Sequence, residues 1–200
     1  MTILPSSYIP SEWSEGVDHF DIPYFTFSNF LTEAECDIVN TWGNLQELHD
    51  GVIMREKNKN LVPSIRKSKI GWLPVNGWDW VYDKIFSSVE STNKWAYDVR
   101  GFGELIQFTD YDSSEGDSFY KSHKDTGPGF QHRKISFVVL LDDPKDFEGG
   151  ELHLEGVGAL RLPNKGSAVM FPSFMHHQVT PVTSGRRRTL VSWIAGPKLK

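Results

Sequence analysis

The sequence has little cysteine, a deficit of positive charge and no long hydrophobic run, and each shortage excludes a class of protein. Cys36 is the one cysteine among 200 residues, which excludes an intramolecular disulfide and a thiolate-rich metal site. The 21 basic residues are outnumbered by 26 acidic ones, which argues against nucleic acid as the main partner. Because Met1–Gly16 has no features of a secretion signal and no run reaches ~18 apolar residues, we expect a cytoplasmic protein without a membrane partner.

The chain does contain enough apolar material for one packed domain. Hydrophobic residues make up 38% of the chain and aromatic residues 13%, a composition that excludes intrinsic disorder. A length of 200 residues lies within the usual range for one domain. The first twenty residues show neither helical nor alternating periodicity. We therefore expect an N-terminal arm over 1–20 and a single domain over 21–200.

Two helices are predicted in the first half of the chain. Thr32 and Glu35 have the spacing of a capping box, which predicts a helix that begins there and ends near Trp42. Cys36 would lie on the apolar face of this helix, and we interpret it as a small buried hydrophobic residue rather than a nucleophile. A second apolar stripe predicts a helix over Trp78–Val89.

The second half of the chain predicts β-strands. Short apolar or alternating segments, each closed by Gly, Pro or Asp, follow one another without a gap long enough for a crossover helix. This pattern excludes a doubly wound parallel sheet. It favours a mainly β (α+β) fold, a two-sheet jelly roll with the N-terminal helices packed on it. The predicted strands are Phe102–Thr109, Ile135–Leu141, Glu151–Leu154, Ser167–Phe171, Met175–Val182 and Thr189–Ile194.

Two histidine motifs could hold a metal ion. In an extended segment His123 and Asp125 point to the same side and can reach one cation, although a solvated loop pair is the alternative. The adjacent His176 and His177 offer a third ligand, and strand alternation directs His177 to the interior and His176 to the solvent. An ordinary core histidine is the alternative for His177. Two histidines and one carboxylate form the facial triad typical of non-haem Fe(II) oxygenases.

An arginine follows the second histidine motif on the next predicted strand. Arg187 lies ten residues after His177, and its guanidinium could bind a carboxylate through two parallel hydrogen bonds. Arg186 and Arg188 are interpreted as residues of an exposed basic turn. Gly149-Gly150 is interpreted as a pair of glycines that the backbone conformation requires, not as a phosphate-binding loop. The reason is that no strand–glycine–helix unit surrounds it. The other histidines without partners at ligand-like spacing are interpreted as structural or surface residues: His19, His49, His132 and His153.

Together these motifs resemble the Fe(II)- and 2-oxoglutarate-dependent dioxygenases, in particular the prolyl 4-hydroxylase-like branch with its bacterial and phage PKHD-type hydroxylases. The resemblance covers roughly residues 24–196 and is looser in its upstream part. In a phage-encoded protein the location would be the host cytoplasm. The residues that carry the resemblance are Tyr111, Gly116, Tyr120, His123 and Asp125; Gly149-Gly150-Glu151-Leu152; Gly166 to Ser173; His177 to Arg187; Trp193; and, upstream, Phe30 to Cys36, Arg66-Lys67-Ser68 and Trp72.

The resemblance implies roles for individual residues. His123, Asp125 and His177 would form the catalytic centre and bind iron, and Arg187 would bind the distal carboxylate of 2-oxoglutarate. Asp125 also favours hydroxylation over halogenation, because halogenating members of the family have a small residue at that position.

Three further positions follow from the resemblance. Tyr111 would line the cosubstrate site, and Ser136 would lie near the cosubstrate. The residues alone leave an alternative for each position. Tyr111 could be an ordinary packed residue of a strand, and Ser136 could be a small polar residue that fills space in a strand. Leu140 stands where some prolyl hydroxylases have a tyrosine for the distal carboxylate, so more of the binding would depend on Arg187.

The implied activity is hydroxylation of a substrate C–H bond with Fe(II), 2-oxoglutarate and O2, releasing succinate and CO2, with ascorbate as reductant. The expected partner is a proline-containing peptide or protein, bound under a cover formed by Gly51–Lys69. Another peptide side chain or a small metabolite is an alternative substrate. A cupin-like metal-binding module without turnover is the alternative from another class, although such a module would not need Arg187.

Overall fold

A computed structural model describes residues 23–55, 58–60 and 62–198, so the arm predicted over 1–20 lies outside the described residues. The α-helices of the described part are α1 (Glu33–Asn44) and α2 (Asp79–Thr92). Neither is long and apolar enough to span a membrane. The strands are β1 (Phe25–Phe27), β2 (His49–Asp50), β3 (Ile53–Arg55), β4 (Asn58–Asn60), β5 (Arg66–Lys67), β6 (Lys69–Leu73), β7 (Gly101–Phe102), β8 (Ile106–Asp112), β9 (Ser118–His123), β10 (Arg133–Leu140), β11 (Phe147–Gly149), β12 (Leu152–Leu154), β13 (Gly158–Leu160), β14 (Ala168–Pro172) and β15 (His177–Ala195).

Two groups of strands share the long strand β15. The larger group has the order β1-β14-β10-β15-β8-β6-β2, and its neighbouring strands are antiparallel. The smaller group places β9, β11 and β12 against the first half of β15, with β5 on β9 and β13 on β12. This is the mainly β, jelly-roll architecture with N-terminal helices, and the predicted fold class is confirmed.

The first helix begins at the capping box that its sequence predicts. The Thr32 side chain accepts a hydrogen bond from the Glu35 backbone N–H at 3.2 Å, and the Glu35 carboxylate accepts one from the Thr32 N–H at 2.7 Å. Cys36 is fully buried on this helix, and burial raises the pKa of its thiol to about 12. The interpretation of Cys36 as a buried hydrophobic residue is therefore confirmed.

Both faces of the central strand β10 are buried, which accounts for its nearly continuous apolar sequence. Phe137 and Val139 belong to a hydrophobic cluster that includes residues of both helices. Val138 and Leu140, on the opposite face, belong to a second cluster that includes residues of β12 and of the first half of β15. By strand alternation Ser136 shares this second face, and its side chain is fully buried.

The prediction of separate strands over Met175–Val182 and Thr189–Ile194 was wrong, because β15 continues through the expected turn. Before Gly185 this strand pairs with β9, β11 and β12, and after it with β8 and β10. Gly185 has a φ of +75°, and a Cβ atom there would lie 2.1 Å from the Asp146 carbonyl oxygen. The residues around Gly185 have the composition of a turn, but the chain does not reverse there. They mark the point at which β15 passes from one group of strands to the other.

The basic residues at this passage are paired in the structure. The Arg186 Nη2 atom donates a hydrogen bond to the Asp110 carboxylate at 2.6 Å, and the Arg188 guanidinium pairs with Asp142. The interpretation of Arg186 and Arg188 as residues of an exposed basic turn was therefore wrong. Arg186 joins β15 to β8, and Arg188 joins β15 to the segment that follows β10.

Candidate active site

The structure brings the three predicted metal ligands together at the junction of β9 and β15. His123 is the last residue of β9 and lies opposite His177, the first residue of β15. Asp125 follows β9 by two residues, and its carboxylate oxygens lie 3.5 Å from His123 Nε2 and 3.4 Å from His177 Nε2. One ligand atom from each residue lies within 4.8 Å of the others, a spacing that allows all three to contact one cation.

Backbone carbonyls orient both imidazole rings. His123 Nδ1 lies 2.9 Å from the Lys121 carbonyl oxygen, and His177 Nδ1 lies 3.0 Å from the Met175 carbonyl oxygen. Because a carbonyl oxygen can only accept, each Nδ1 atom carries the proton and each Nε2 atom keeps its lone pair. Both Nε2 atoms face Asp125 and are available to a metal ion.

Electrostatics favour the protonation states that a divalent cation requires. Burial by itself raises the pKa of Asp125, but the His177 and His123 rings and the Ser136 hydroxyl together lower it well below its usual range. Burial lowers the pKa of His177, and the Asp125 carboxylate only partly offsets this. At neutral pH the site therefore offers an anionic carboxylate and a neutral imidazole, which are the metal-binding forms. This donor set suits Fe(II).

The two adjacent histidines separate as strand alternation predicts. His177 is buried, whereas His176 is exposed and has its Nδ1 atom 3.5 Å from Ser122 Oγ. The other described histidines lie outside the triad: His49 is exposed on β2, His132 Nε2 lies 3.7 Å from Glu104, and His153 Nε2 lies 3.5 Å from Glu151. His19 lies outside the described residues.

Two buried serines form hydrogen bonds with Asp125. Ser136 Oγ donates a hydrogen bond to Asp125 Oδ2 at 2.6 Å and lies 2.9 Å from Ser173 Oγ. The Asp125 backbone N–H donates to the Ser173 carbonyl oxygen at 3.0 Å. Ser136 thus contacts a predicted metal ligand and is not among the residues that line the adjacent cavity. The sequence motif includes Ser173 but gives no sign of this contact.

Replacing Ser136 with Ala should weaken metal binding by roughly 10–100-fold, because Asp125 loses the hydrogen bond that fixes one of its oxygens. Ser192→Ala is the matched control, since Ser192 is equally buried and its hydroxyl has no hydrogen-bond partner in the described part of the chain. Competition of each variant with a fluorescent chelator measures the metal affinity. Equal affinity in the two variants would contradict the assigned contact.

A cavity of about 940 Å³ opens beside the triad and extends between the two groups of strands. The predicted residues Tyr111 and Arg187 line it, and so do Val52, Ile65 and Arg66 from the segment expected to cover the mouth. Trp72 and Leu105 form part of its apolar rim, and each is 42% exposed. The cavity is large enough for a small dicarboxylate together with part of a substrate.

Arg187 faces this cavity as a buried cation without an acidic partner. Its side chain is 4% exposed, and no carboxylate oxygen of the described residues lies within 4.0 Å of its guanidinium. Its guanidinium carbon lies 5.5 Å from the Tyr111 ring centroid. Burial lowers the pKa of Arg187, and Tyr111 and Asp142 only partly offset this effect, a sign that the charge is incompletely compensated. An anionic ligand in the cavity would supply the missing countercharge.

The residues around Arg187 suit a carboxylate ligand. Burial raises the pKa of Tyr111, so its hydroxyl stays protonated at neutral pH and can donate a hydrogen bond. Leu140 is buried in the second hydrophobic cluster and does not line the cavity. Gly149 and Gly150 both have positive φ, and a Cβ atom at Gly150 would lie 2.6 Å from Arg187 Cδ. The interpretation that the backbone conformation requires this glycine pair is confirmed. The absence of a side chain at Gly150 also leaves room for the Arg187 side chain.

The sequence reasoning missed a second group of polar residues at the cavity. Arg133 donates a hydrogen bond to the Asp125 carbonyl oxygen at 3.1 Å, pairs with Glu104, and lies 3.8 Å from the Trp193 ring centroid. Arg66 also lines the cavity and contacts Tyr120. Arg66 and Tyr120 were noted as motif residues, but their pairing depends on contacts between distant strands.

Comparisons with known proteins agree with this geometry. Residues 106–195 match the family model of the 2OG-Fe(II) oxygenase superfamily. A PKHD-type hydroxylase of Hyphomonas neptunium is 41% identical over 90 residues, which cover 41% of this chain and 39% of that relative. The chain therefore spans well under half the length of the curated relatives that it matches.

Solved structures share the fold over most of the chain. A prolyl-4-hydroxylase of Pseudomonas putida has a TM-score of 0.66 at 19% identity, covering 90% of this chain and 96% of that one. A prolyl hydroxylase of Trichoplax adhaerens, in complex with a peptide fragment of the hypoxia inducible factor oxygen degradation domain, has a TM-score of 0.69 at 18% identity, covering 86% and 83%. The family model, the sequence similarity and the shared fold confirm the resemblance to the 2OG-Fe(II) oxygenase superfamily, whose model residues 106–195 match.

Proposed function

We propose that this chain is a non-haem Fe(II)- and 2-oxoglutarate-dependent hydroxylase. His123, Asp125 and His177 would hold the iron, and Arg187 would hold the distal carboxylate of 2-oxoglutarate. The observation that carries the proposal is a buried arginine in the same cavity as a two-histidine, one-carboxylate cluster, with no acidic partner among the residues that the structure describes. A metal-binding module without turnover would have no use for that buried cation.

The residues of the chain would position and shield the reaction. With Fe(II) bound, 2-oxoglutarate and O2 supply the oxidation that hydroxylates a substrate C–H bond and releases succinate and CO2. Arg187 and the Tyr111 hydroxyl fix the orientation of the cosubstrate, and Ser136 and Ser173 fix Asp125. The apolar walls of the cavity limit the access of water. Ascorbate would serve as the reductant that keeps the iron in its Fe(II) state.

Peptidyl proline is the substrate that we propose first. The chain is similar to PKHD-type hydroxylases, and the fold is shared with a prolyl hydroxylase that was solved with a peptide. The rim of the cavity carries Trp72 and Leu105, which could pack on an extended peptide. Another peptide side chain or a small metabolite is the second candidate, because the triad and Arg187 do not select the substrate.

Incubation of the purified chain with Fe(II), 2-oxoglutarate, ascorbate and a panel of proline-containing peptides should produce succinate. Mass spectrometry should detect the addition of one oxygen atom to the peptide that is the substrate. Asp125→Ala is the control, because the chain then lacks one predicted metal ligand and should form no succinate. If the wild-type chain retains iron but never converts 2-oxoglutarate, with or without peptide, the proposed activity is wrong.

A further inference from the structure

The cavity holds a second buried arginine to which the proposed reaction gives no role. Arg66 is 6% exposed on β5, which pairs with β9 so that Arg66 lies opposite Tyr120. Its guanidinium carbon is 4.6 Å from the Tyr120 ring centroid, and that ring stacks on the His123 ring at 3.6 Å. A single aromatic side chain therefore separates Arg66 from a proposed metal ligand.

The partners of Arg66 are neutral. Its Nε atom donates a hydrogen bond to Ser68 Oγ at 2.8 Å, and its Nη2 atom donates to Gln107 Oε1 at 2.9 Å. In the part of the chain that the structure describes, no carboxylate oxygen lies within 4.0 Å of this guanidinium. An arginine has five N–H donors, so three of them stay available to a ligand after these two bonds. Ser68 and Gln107 hold the guanidinium plane in place.

Other arginines around the two groups of strands have acidic partners. Arg133, which also lines the cavity, pairs with Glu104, and its charge is thereby offset. Arg186 and Arg188 pair with Asp110 and Asp142 in the same way. Arg66 and Arg187 thus share two properties: both are buried and both face the cavity without a carboxylate partner among the described residues.

If Fe(II) and 2-oxoglutarate occupy the cavity as proposed, a count of the charges leaves Arg66 without a counterion. The two charges of Fe(II) would be offset by the two carboxylates of 2-oxoglutarate, and Asp125 would offset Arg187. Arg66 then remains as one buried positive charge, and a buried charge without a partner is costly. An anionic group on a molecule that enters the cavity after the cosubstrate would supply the missing negative charge.

We propose that Arg66 binds a carboxylate of the substrate, so that the substrate class is a carboxylate-bearing molecule. This inference rests on the proposed function and narrows its substrate. The carboxylate would accept hydrogen bonds from the free guanidinium donors on the side of the cavity that Tyr120 shares with His123. Two sources supply this chemistry: an acidic side chain beside the reacting residue of a peptide, or the carboxylate of a small free acid.

Matched acid and amide probes test the inference. The chain is loaded anaerobically with Fe(II) and 2-oxoglutarate, so that no turnover occurs, and calorimetry measures the binding of each probe. One arm compares proline-containing peptides that carry Glu or Gln beside the proline, and the other compares free proline with prolinamide. We expect the acid to bind at least about tenfold more tightly than its amide in one arm, which identifies the source.

Variants assign the preference to Arg66. Arg66→Gln removes the charge and should abolish the preference for the acid, while the affinity for 2-oxoglutarate stays unchanged. Arg66→Lys keeps the charge but loses the planar fork, and should retain part of the preference. Arg100→Gln is the matched control: it makes the same substitution at an exposed position that does not line the cavity, and it should behave as the wild type.

The outcomes separate the inference from the proposed function. Equal binding of acid and amide in both arms would overturn the inference alone, and so would an acid preference that survives in Arg66→Gln. A loss of 2-oxoglutarate affinity in Arg66→Gln would also overturn it, since Arg66 would then be a cosubstrate residue. A wild-type chain that does not bind 2-oxoglutarate would overturn the proposed function first. If Arg66→Gln fails to fold, the wild-type comparison and Arg66→Lys still decide.

Discussion

Replacing His177 with Ala should abolish iron retention, whereas replacing the adjacent His176 with Ala should leave it nearly unchanged. His177 is buried, its Nδ1 atom is held by the Met175 carbonyl oxygen, and its Nε2 atom faces Asp125. Removal of this side chain leaves only His123 and Asp125 of the three proposed protein ligands, and Asp125 loses a neighbour that orients it. His176 is exposed, and its Nδ1 atom lies 3.5 Å from the Ser122 hydroxyl oxygen rather than in the cluster.

Iron content of the two purified variants, reconstituted anaerobically, measures this difference. Circular dichroism serves as the control for folding, since His177 also packs edge-on against Phe171 with ring centroids 4.8 Å apart. His177→Gln adds a second control, because it fills most of the same volume without an imidazole. A metal-free His176→Ala beside an iron-replete His177→Ala would show that the assigned ligand is off by one residue.

Local sequence rules predicted the elements in which nearby residues determine the structure. The capping box of Thr32 and Glu35 sets the start of α1 within four residues of chain, so no distant contact is needed to predict it. The alternation of buried and exposed residues likewise separates His177 from His176. Such predictions succeed because the hydrogen bonds or the strand geometry involve only neighbours in the sequence.

Features that depend on distant pairing were not predictable in this way. The passage of β15 between two groups of strands has the composition of a turn, and only its separate partners before and after Gly185 show that the strand continues. Strands of two or three residues, such as β5, are too short for a periodic pattern. Arg66 reaches Tyr120 only because β5 pairs with β9, which lies more than fifty residues further along the chain.

Ser136 shows that the site-facing side of a strand is hard to predict from sequence when both faces of the strand are buried. Both faces of β10 are buried, so its apolar residues do not reveal which face lies toward the candidate active site. The resemblance placed Ser136 near the cosubstrate, and the structure places its hydroxyl on Asp125. Whether Ser136 also contributes to cosubstrate binding stays a prediction, while its contact with the proposed ligand is a property of the fold.

Replacing Arg187 with Ala should weaken 2-oxoglutarate binding by about 2–5 kcal/mol, or roughly 30-fold to several thousandfold. The reason is that the distal carboxylate would face a buried site without a countercharge, since Leu140 offers no hydroxyl in its place. Anaerobic titration of 2-oxoglutarate into the iron-loaded chain measures the affinity through the absorption of the complex. Unchanged affinity in this variant would show that Arg187 does not bind the cosubstrate. Iron retention should stay intact, because Arg187 contacts none of the three proposed metal ligands.

Gly150→Ala should weaken 2-oxoglutarate binding without removing any charge, because its new methyl group would lie 2.6 Å from Arg187 Cδ and displace the guanidinium. The loss should be smaller than in Arg187→Ala, since the displaced cation still attracts the carboxylate. Gly156→Ala is the matched control: Gly156 also has a positive φ, +79°, but a Cβ atom there meets no atom within 4 Å. Backbone strain is then common to both variants, and only Gly150→Ala moves Arg187. Equal 2-oxoglutarate affinity in the two glycine variants would show that the position of Arg187 does not determine cosubstrate binding.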